Sequence, residues 1–394
     1  MKKVLTALLL FPVIWTCTKD EIFPSSYYDC RVPLEENNPA YPRAQYIEDL
    51  LQNIVHSGIP GIMLTVHDSA NGYWSGAAGY ADLASEAELR PCQVTRVGST
   101  VKTFTAVTIL KLQEEGKLNL DDPVSLYLPD KETEDLKNSG QSTIRQLLQH
   151  SSGIYNYIQN LKFQTASLNN LTKIWHPEEL LDYARGQDPY FSPGSDVRYS
   201  NTNYVLLGMI IEKVTGKPYY EVFETTLFRP LGLSHTHCAA PDPVPEGIIR
   251  GYVDFYSKKN LINSTYYSGW DYYTADGGLI SNAYDLNVFL TRLFNGQIIS
   301  KTSMEEMLKW QNPKNDENEF ETSFGLGIFR INTKFGPAYI HSGDAIGYCA
   351  SMVYFPEPGV TITWAVNGNY GKLDELVQSR KAMEKIFETV LSVQ

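Results

Sequence analysis

Ser99-Thr100-Val101-Lys102 opens an apolar stretch and has the spacing that nucleophilic chemistry needs. On a helix, positions three apart share a face, so the serine hydroxyl and the lysine amine would stand side by side. A serine hydroxyl is a weak nucleophile until a neighbouring base takes its proton. Lysine serves as that base only when burial or nearby charge lowers its pKa towards neutrality. The positive end of the helix favours a developing alkoxide at the same place. A Ser-x-x-Lys alone is expected about once by chance in a chain this long. Its place at the start of a buried helix, where an unpaired lysine is costly, gives it weight.

Two further triplets carry suitable groups. Tyr199-Ser200-Asn201 follows the turn signal Ser192-Pro193-Gly194 and precedes a helical pattern from Asn203. A tyrosine there can relay a proton to a leaving group, and the Asn201 amide can hold a substrate carbonyl or the lysine. Taken alone, Tyr199 is one more half-buried residue among 26 tyrosines. His341-Ser342-Gly343 lies just before a strand beginning near Gly347. At a sheet edge its backbone can pair with an extended substrate. Main-chain N–H groups there and at Ser99 can form an oxyanion hole, with Gly343 allowing close approach. Taken alone, the triplet is a plain turn before a strand. His235-Thr236-His237-Cys238 lacks the ligand spacing of a zinc motif and reads as packed or solvated side chains. His150 reads as a brace for a turn. Tyr155, Tyr157, Trp270 and Tyr272 either line a cleft or pack as aromatic core.

These residues need elements to hold them. Ala44 to His56 carries Ile47, Leu50, Leu51 and Ile54 on one face and reads as a helix, broken by Gly58-Ile59-Pro60-Gly61. Ile62 to His67 and Tyr73 to Tyr80 read as strands joined at Ser69-Ala70-Asn71-Gly72. From Ser99 onward, Val101, Phe104, Val107, Ile109, Leu110 and Leu112 make a helix apolar on most sides, ended by Gly116. Helical patterns follow at Thr143 to His150, Pro177 to Ala184 and Asn203 to Val214. Strand-like runs return at Ile249 to Phe255, Tyr348 to Phe355 and Val360 to Val366, the last two a hairpin turned at Pro356-Glu357-Pro358-Gly359. One closing helix is expected from about Leu373 to Leu391. The expected fold class is therefore α/β (α+β): an antiparallel sheet made from both ends of the chain, flanked by terminal helices, with an inserted helical lobe. The catalytic domain is placed at 43–394, with an α/β lobe over about 43–95 and 245–394 and a helical lobe over about 96–244. The crevice between the lobes is the natural place for a site.

Composition narrows the setting. The 394 residues, 43% hydrophobic and 20% charged, suit a globular protein with a substantial core. A net charge of -12 without a basic patch argues against a nucleic-acid partner. Lys2 and Lys3, the apolar run Val4 to Trp15 and the following Cys17 read as a secretory signal over 1–16, too short to span a bilayer. Cys17 stands where bacterial lipoproteins carry their lipid, though Trp15 and Thr16 depart from the usual small residues. An ordinary cleaved signal with an incidental cysteine is the alternative. The run Cys17-Thr18-Lys19-Asp20-Glu21 resembles an acidic export tag of surface lipoproteins. Residues 17–42 are expected to form an anchored, irregular tether, on an exported periplasmic or cell-surface lipoprotein of a Gram-negative bacterium. Cys30, Cys92, Cys238 and Cys349 remain, with three possible connectivities. A Cys30–Cys92 bridge would fasten the N-terminal arm to the segment before Ser99; four free buried thiols are an equal reading.

Taken in order, Ser99/Lys102, Tyr199/Asn201 and His341/Gly343 resemble the Ser-x-x-Lys, Tyr-x-Asn and Lys/His-x-Gly elements of the penicillin-recognising serine hydrolases. That superfamily holds class C β-lactamases, D-alanyl-D-alanine carboxypeptidases, D-aminopeptidases and related esterases. Glu115-Gly116-Lys117-Leu118 to Asp122-Pro123, Leu147-Leu148-Gln149-His150-Ser151-Ser152-Gly153 and Gly277-Gly278-Leu279-Ile280-Ser281 are similar too, so the likeness runs from about Ala44 to the C-terminus. The resemblance implies a β-lactamase/transpeptidase-like fold and two-step acyl transfer without cofactor or metal. Lys102, directly or with Tyr199, takes the Ser99 proton; the N–H groups of Ser99 and Asp344 hold the oxyanion. Tyr199 protonates the leaving group and Asn201 positions the substrate. His341 stands where class C β-lactamases carry lysine, and a histidine is only partly charged near neutral pH. No glutamate is placed like the deacylating one of class A β-lactamases. The implied function is a D-amino-acid peptidase or carboxypeptidase, or a related amidase or esterase. A β-lactamase and a non-catalytic penicillin- or peptidoglycan-binding sensor are the alternatives. The implied partners are a small peptide, amide or ester, peptidoglycan fragments or β-lactams, and a membrane through Cys17.

Overall fold

In the computed structural model, which describes residues 28–30, 33–316 and 318–392, the two ends of the chain build one sheet. Its strands are β1 (Gly61–Asp68), β2 (Gly72–Asp82), β3 (Ala87–Glu88), β4 (Thr322–Phe324), β5 (Phe329–Thr333), β6 (Gly336–Ala345), β7 (Tyr348–Phe355) and β8 (Val360–Val366). They lie in the order β3-β2-β1-β8-β7-β6-β5-β4, every neighbouring pair antiparallel. The interior pair β1 with β8 sets Ile62 opposite Val366 and so joins the beginning of the domain to its end.

Both faces of the sheet are buried, and alternation along each strand assigns side chains to one or the other. Ile62, Leu64 and Val66 join Ile362, Trp364 and Val366 in the core under two helices, α1 (Ala44–Ser57) and the C-terminal Arg380–Leu391. α1 supplies Ile47, Leu50, Leu51 and Ile54 to that core, the four positions that its periodicity singles out. Met63, Met352 and Ala365 face the opposite way and share the core of the helical lobe. Five helices matter beyond α1: α2 (Val101–Glu114), α3 (Asn201–Thr215), α4 (Ala283–Phe294) and the C-terminal pair α5 (Lys372–Val377) and α6 (Arg380–Leu391). α4 is bound to the sheet by polar contacts as well as apolar ones. Asn287 Nδ2 donates to the carbonyls of Thr65, at 3.0 Å, and Thr361, at 3.2 Å.

Two expectations need correction. The closing helix is two helices, because Ser379 caps the N-terminus of α6 and accepts the Ala382 N–H at 3.3 Å. The run Ile249 to Phe255 is a strand only at Tyr252–Val253. Its N–H groups go to different partners, Ile249 to Val94, Arg250 to Ala81 and Tyr252 to Asn367, so it crosses between elements instead of following one. Residues 33–42 are irregular but lie against the domain: the Asn37 side chain accepts the Ser75 N–H at 2.9 Å and Tyr284 Oη accepts the Glu36 N–H at 3.1 Å. The cysteine question is settled between its alternatives. Cys30 and Cys92 form a disulfide with Cα atoms 5.8 Å apart, while Cys238 and Cys349 are free and buried. The signal segment 1–16 and Cys17 lie outside the described residues. Among those described, no helix is long and apolar enough to cross a membrane.

Candidate active site

Ser99 stands in a 3-10 turn, Gly98–Thr100, that runs directly into α2. α2 is buried on all sides, and its rotation is fixed by contacts on opposite flanks. Phe104 stacks on Phe289 of α4 with ring centroids 3.7 Å apart, and Thr105 Oγ1 donates to the Ala275 carbonyl at 2.8 Å. Position 102 then has no route to solvent, and Lys102 is fully buried.

The Lys102 ammonium finds three acceptors. Nζ donates to Ser99 Oγ at 2.9 Å, to Asn201 Oδ1 at 2.8 Å and to the Asp276 carbonyl oxygen. Three donors meet three partners, which is the condition for burying such a charge. Burial lowers its pKa to about 8, against the opposing pull of the Asp276 and Asp271 carboxylates. Two of the three partners are carbonyl-type oxygens that only accept. A deprotonated Lys102 keeps both of those bonds and turns its lone pair to the remaining partner, the Ser99 hydroxyl.

Tyr199 precedes α3, and its phenol is hydrogen-bonded to the Ser99 side chain. Burial holds that phenol neutral, well above its ordinary pKa. Its loop is held by His150, which does brace a turn. His150 Nδ1 accepts the Ser200 N–H at 3.1 Å, and the His150 ring lies 4.4 Å from the Tyr199 ring. Asn201, the first residue of α3, is oriented by Asn156. Asn156 Oδ1 takes the Asn201 backbone N–H at 3.1 Å and its amide Nδ2 at 3.5 Å, which leaves Oδ1 for Lys102. The hydroxyl, ammonium, phenol and amide therefore meet, although about a hundred residues separate Lys102 from the other two (99 from Asn201).

His341, Ser342 and Gly343 lie within β6, not in a turn ahead of a strand. β5 pairs with β6 only as far as Ile340, so residues 341–345 keep the β5-side edge free of strand pairing while β7 holds the other. A Cβ on Gly343 would lie 2.6 Å from Ser99 N, so this strand packs backbone to backbone against the Ser99 turn. Asp344 extends the same edge; its exposed side chain accepts from Gln378 Nε2 at 2.8 Å. The expectation of a partly charged His341 is corrected. It is 2% exposed, and burial together with the Lys102 charge pushes its pKa down to about 3. Its neutral ring donates from Nδ1 to the Ser342 carbonyl at 2.7 Å.

Two carboxylates escaped the sequence reading. Asp276 is fully buried and accepts from Tyr157 Oη at 2.9 Å and from Thr274 Oγ1. Asp271 is 6% exposed, and burial, reinforced by the Asp276 charge, raises its pKa to about 7. The available signal was Gly277. A Cβ there would fall 2.1 Å from the Asp271 carboxyl carbon, so the double glycine marks where the acidic loop folds back on itself. Of the four conspicuous aromatics, Trp270 lines the cleft, whereas Tyr157 is buried beneath it and Tyr272 stacks under the Arg96 guanidinium at 3.8 Å. Tyr155 packs on Tyr190 with centroids 5.6 Å apart. The His235 and Thr236 backbone and side chains bind Asp285 of α4, a structural use. No cluster that could hold a metal exists among the described residues.

Ser99, Tyr199, Asn201 and His341 open into one cleft of about 640 Å³, with Phe320, Phe329, Ile331 and Met383 on its apolar wall. A serine and a buried lysine one helical turn apart, facing a tyrosine and a sheet edge, define a serine β-lactamase-like hydrolase site. Residues 44–384 match the Beta-lactamase family, and the chain belongs to it. Protein flp of Staphylococcus aureus is 25% identical over 356 residues, covering 89% of this chain and 68% of that protein. A penicillin-binding protein of Bacillus subtilis is 30% identical over 301 residues, covering 73% and 64%. Among solved structures, a D-stereospecific amidohydrolase from Streptomyces sp. superposes with a TM-score of 0.75 at 29% identity, covering 88% of this chain and 98% of that one. D-amino acid amidase from Ochrobactrum anthropi SV3, complexed with L-phenylalanine amide, gives 0.78 at 24% identity over 89% and 99%, a likeness of fold.

Proposed function

We propose that this chain hydrolyses amides, peptides or esters of amino acids, with D-amino-acid derivatives foremost, through an acyl-enzyme on Ser99. The observation that carries this reading is the Lys102 hydrogen-bond set, which leaves a deprotonated amine no partner to face except Ser99 Oγ. In the first step Lys102 takes the Ser99 proton and Oγ bonds to the substrate carbonyl carbon. The backbone N–H groups of Ser99 and Asp344 hold the oxyanion. Tyr199 gives its proton to the leaving amine or alcohol as the carbonyl re-forms, and recovers one from Lys102. Water then attacks the ester along the same proton path and releases the acid, returning the proton to Ser99.

The amidohydrolase and amidase relatives support a D-amino-acid substrate, and the B. subtilis relative keeps cell-wall peptides in view. A penicillin, lacking a glutamate to activate its deacylating water, would form a long-lived adduct. An active-site serine probe on wild type and Ser99→Ala, read by intact mass, tests the reading. An adduct on wild type alone supports it; equal labelling of both proteins refutes it. Export and lipidation at Cys17 belong to the same proposal. Palmitate incorporation that survives Cys17→Ala would refute that part.

A further inference from the structure

A substrate carboxylate needs a cation to meet it, and this cleft supplies none. No lysine or arginine side chain lines it among the described residues, and Lys102 sits behind Ser99 with its three donors committed. Four carboxylates line it instead: Asp271, Glu319, Asp344 and Asp374, of which Glu319 accepts the Arg380 backbone N–H. Asp344 and Asp374 are answered by one amide, since Gln378 Nε2 donates to both, at 2.8 and 2.9 Å. Asp271 is different. It is 94% buried (6% exposed), and among the described residues the one hydrogen bond to its carboxylate comes from its own backbone N–H.

His341 provides a second and independent sign. Its Nδ1 proton is spent on the Ser342 carbonyl, which fixes the tautomer and leaves Nε2 as a bare acceptor. That Nε2 is buried and has no partner among the described residues, and His341 is one of the residues lining the same cleft. The Lys102 charge reaches Asp271 only through space, and an acceptor without a donor beside a carboxylate with no hydrogen-bonded cation calls for a group that brings several N–H bonds and a positive charge.

We propose that Asp271 and His341 Nε2 form a cation-selecting subsite beside Ser99, which takes a substrate bearing a free ammonium and rejects one bearing a carboxylate. This rests on the acyl-transfer reading for its use in turnover, but it is a statement about binding. An ammonium donates to Asp271 and to Nε2 while the apolar wall at Phe320, Phe329 and Met383 takes a hydrophobic side chain. A carboxylate in the same place would face Asp271 and a lone pair. Peptides ending in a free carboxylate are then poor ligands, whereas amino-acid amides with a free amine are good ones.

Calorimetric binding of 2-phenylethylammonium and 3-phenylpropionate at pH 8 separates the cases without turnover. The wild-type protein should bind the ammonium at least about tenfold more tightly than the carboxylate, and Asp271→Asn should bring the ratio close to one. Equal affinity for the two ions in wild type, tighter binding of the carboxylate, binding of neither at millimolar concentration, or a ratio unchanged in Asp271→Asn would each overturn the proposal. The wild-type comparison stands if the variant misfolds. Selective ammonium binding with no Ser99 adduct would sink the acyl-transfer reading alone; an adduct without ammonium preference would sink this one alone.

Discussion

Replacing Gly343 by alanine tests whether the sheet edge and the Ser99 turn are one rigid unit. The added methyl would lie 2.1 Å from the Val97 carbonyl oxygen, 2.6 Å from Ser99 N and 2.8 Å from Thr100 N. Ordinary contact begins at 3.4 Å, so β6 and the 3-10 turn must part by about 1.3 Å. All three obstacles are backbone, and no rotamer change relieves them. A displacement of about 1 Å between reacting groups costs roughly a hundredfold in rate. Overpacking of a tight contact costs about 1–3 kcal/mol of stability. Gly343→Ala should therefore lose about two orders of magnitude in kcat/KM for p-nitrophenyl acetate and a few degrees in Tm. Gly140→Ala, where the methyl meets nothing within 4 Å, is the control and should match wild type. Wild-type kcat/KM in Gly343→Ala would show that β6 does not set the position of Ser99.

Acylation should follow the free base of Lys102, rising tenfold per pH unit and levelling near pH 8, as a pH series of pre-steady-state bursts will show. The same shift acts on stability. Lys102 titrates near 10.5 when unfolded and about 8 when folded, so between those values the unfolded chain holds the extra proton. Its contribution to stability must therefore rise with pH through that window, and the Tm difference between wild type and Lys102→Met should move accordingly. Tyr199→Phe should lower kcat/KM by about 10²–10⁴ while leaving His150 packed on the ring and Tm near wild type, which kinetics and thermal melts together will check. Cys30→Ser with Cys92→Ser should remove about 2–4 kcal/mol of stability, read by urea titration, because the bridge closes a loop of 62 residues.

Periodic segments were legible in the sequence, and so were the residues that meet at Ser99. α1, β1, β2, β7 and β8 bury one face or run apolar throughout, and their spacing is a local property. Ser379 shows the limit of that reading. The apolar rhythm runs through it, and only its capping bond divides α5 from α6. His341 shows another. Its residue type suggested a titrating ring, but titration depends on burial and on Lys102, which is distant in the chain and close in space. Asp271 and Asp276 were unreadable for a similar reason. A short loop with two acids is the ordinary signature of a solvated surface, and what drives this one inward is the packing of Gly277 on Asp271 and the bond from Tyr157.

The pairing of β1 with β8 sets a schedule for the molecule. Ser99 and Lys102 are made early, yet the strand that shapes their surroundings, and the strand that ties the sheet together, come last. Arg43, just ahead of α1, closes the circuit by donating to the carbonyls of Thr389 and Ser392. Such long-range closure is slow and cooperative. A product that stops short of β8 and α6 thus carries Ser99 and Lys102 without the sheet that surrounds them, and the site is assembled only once those late elements have been delivered.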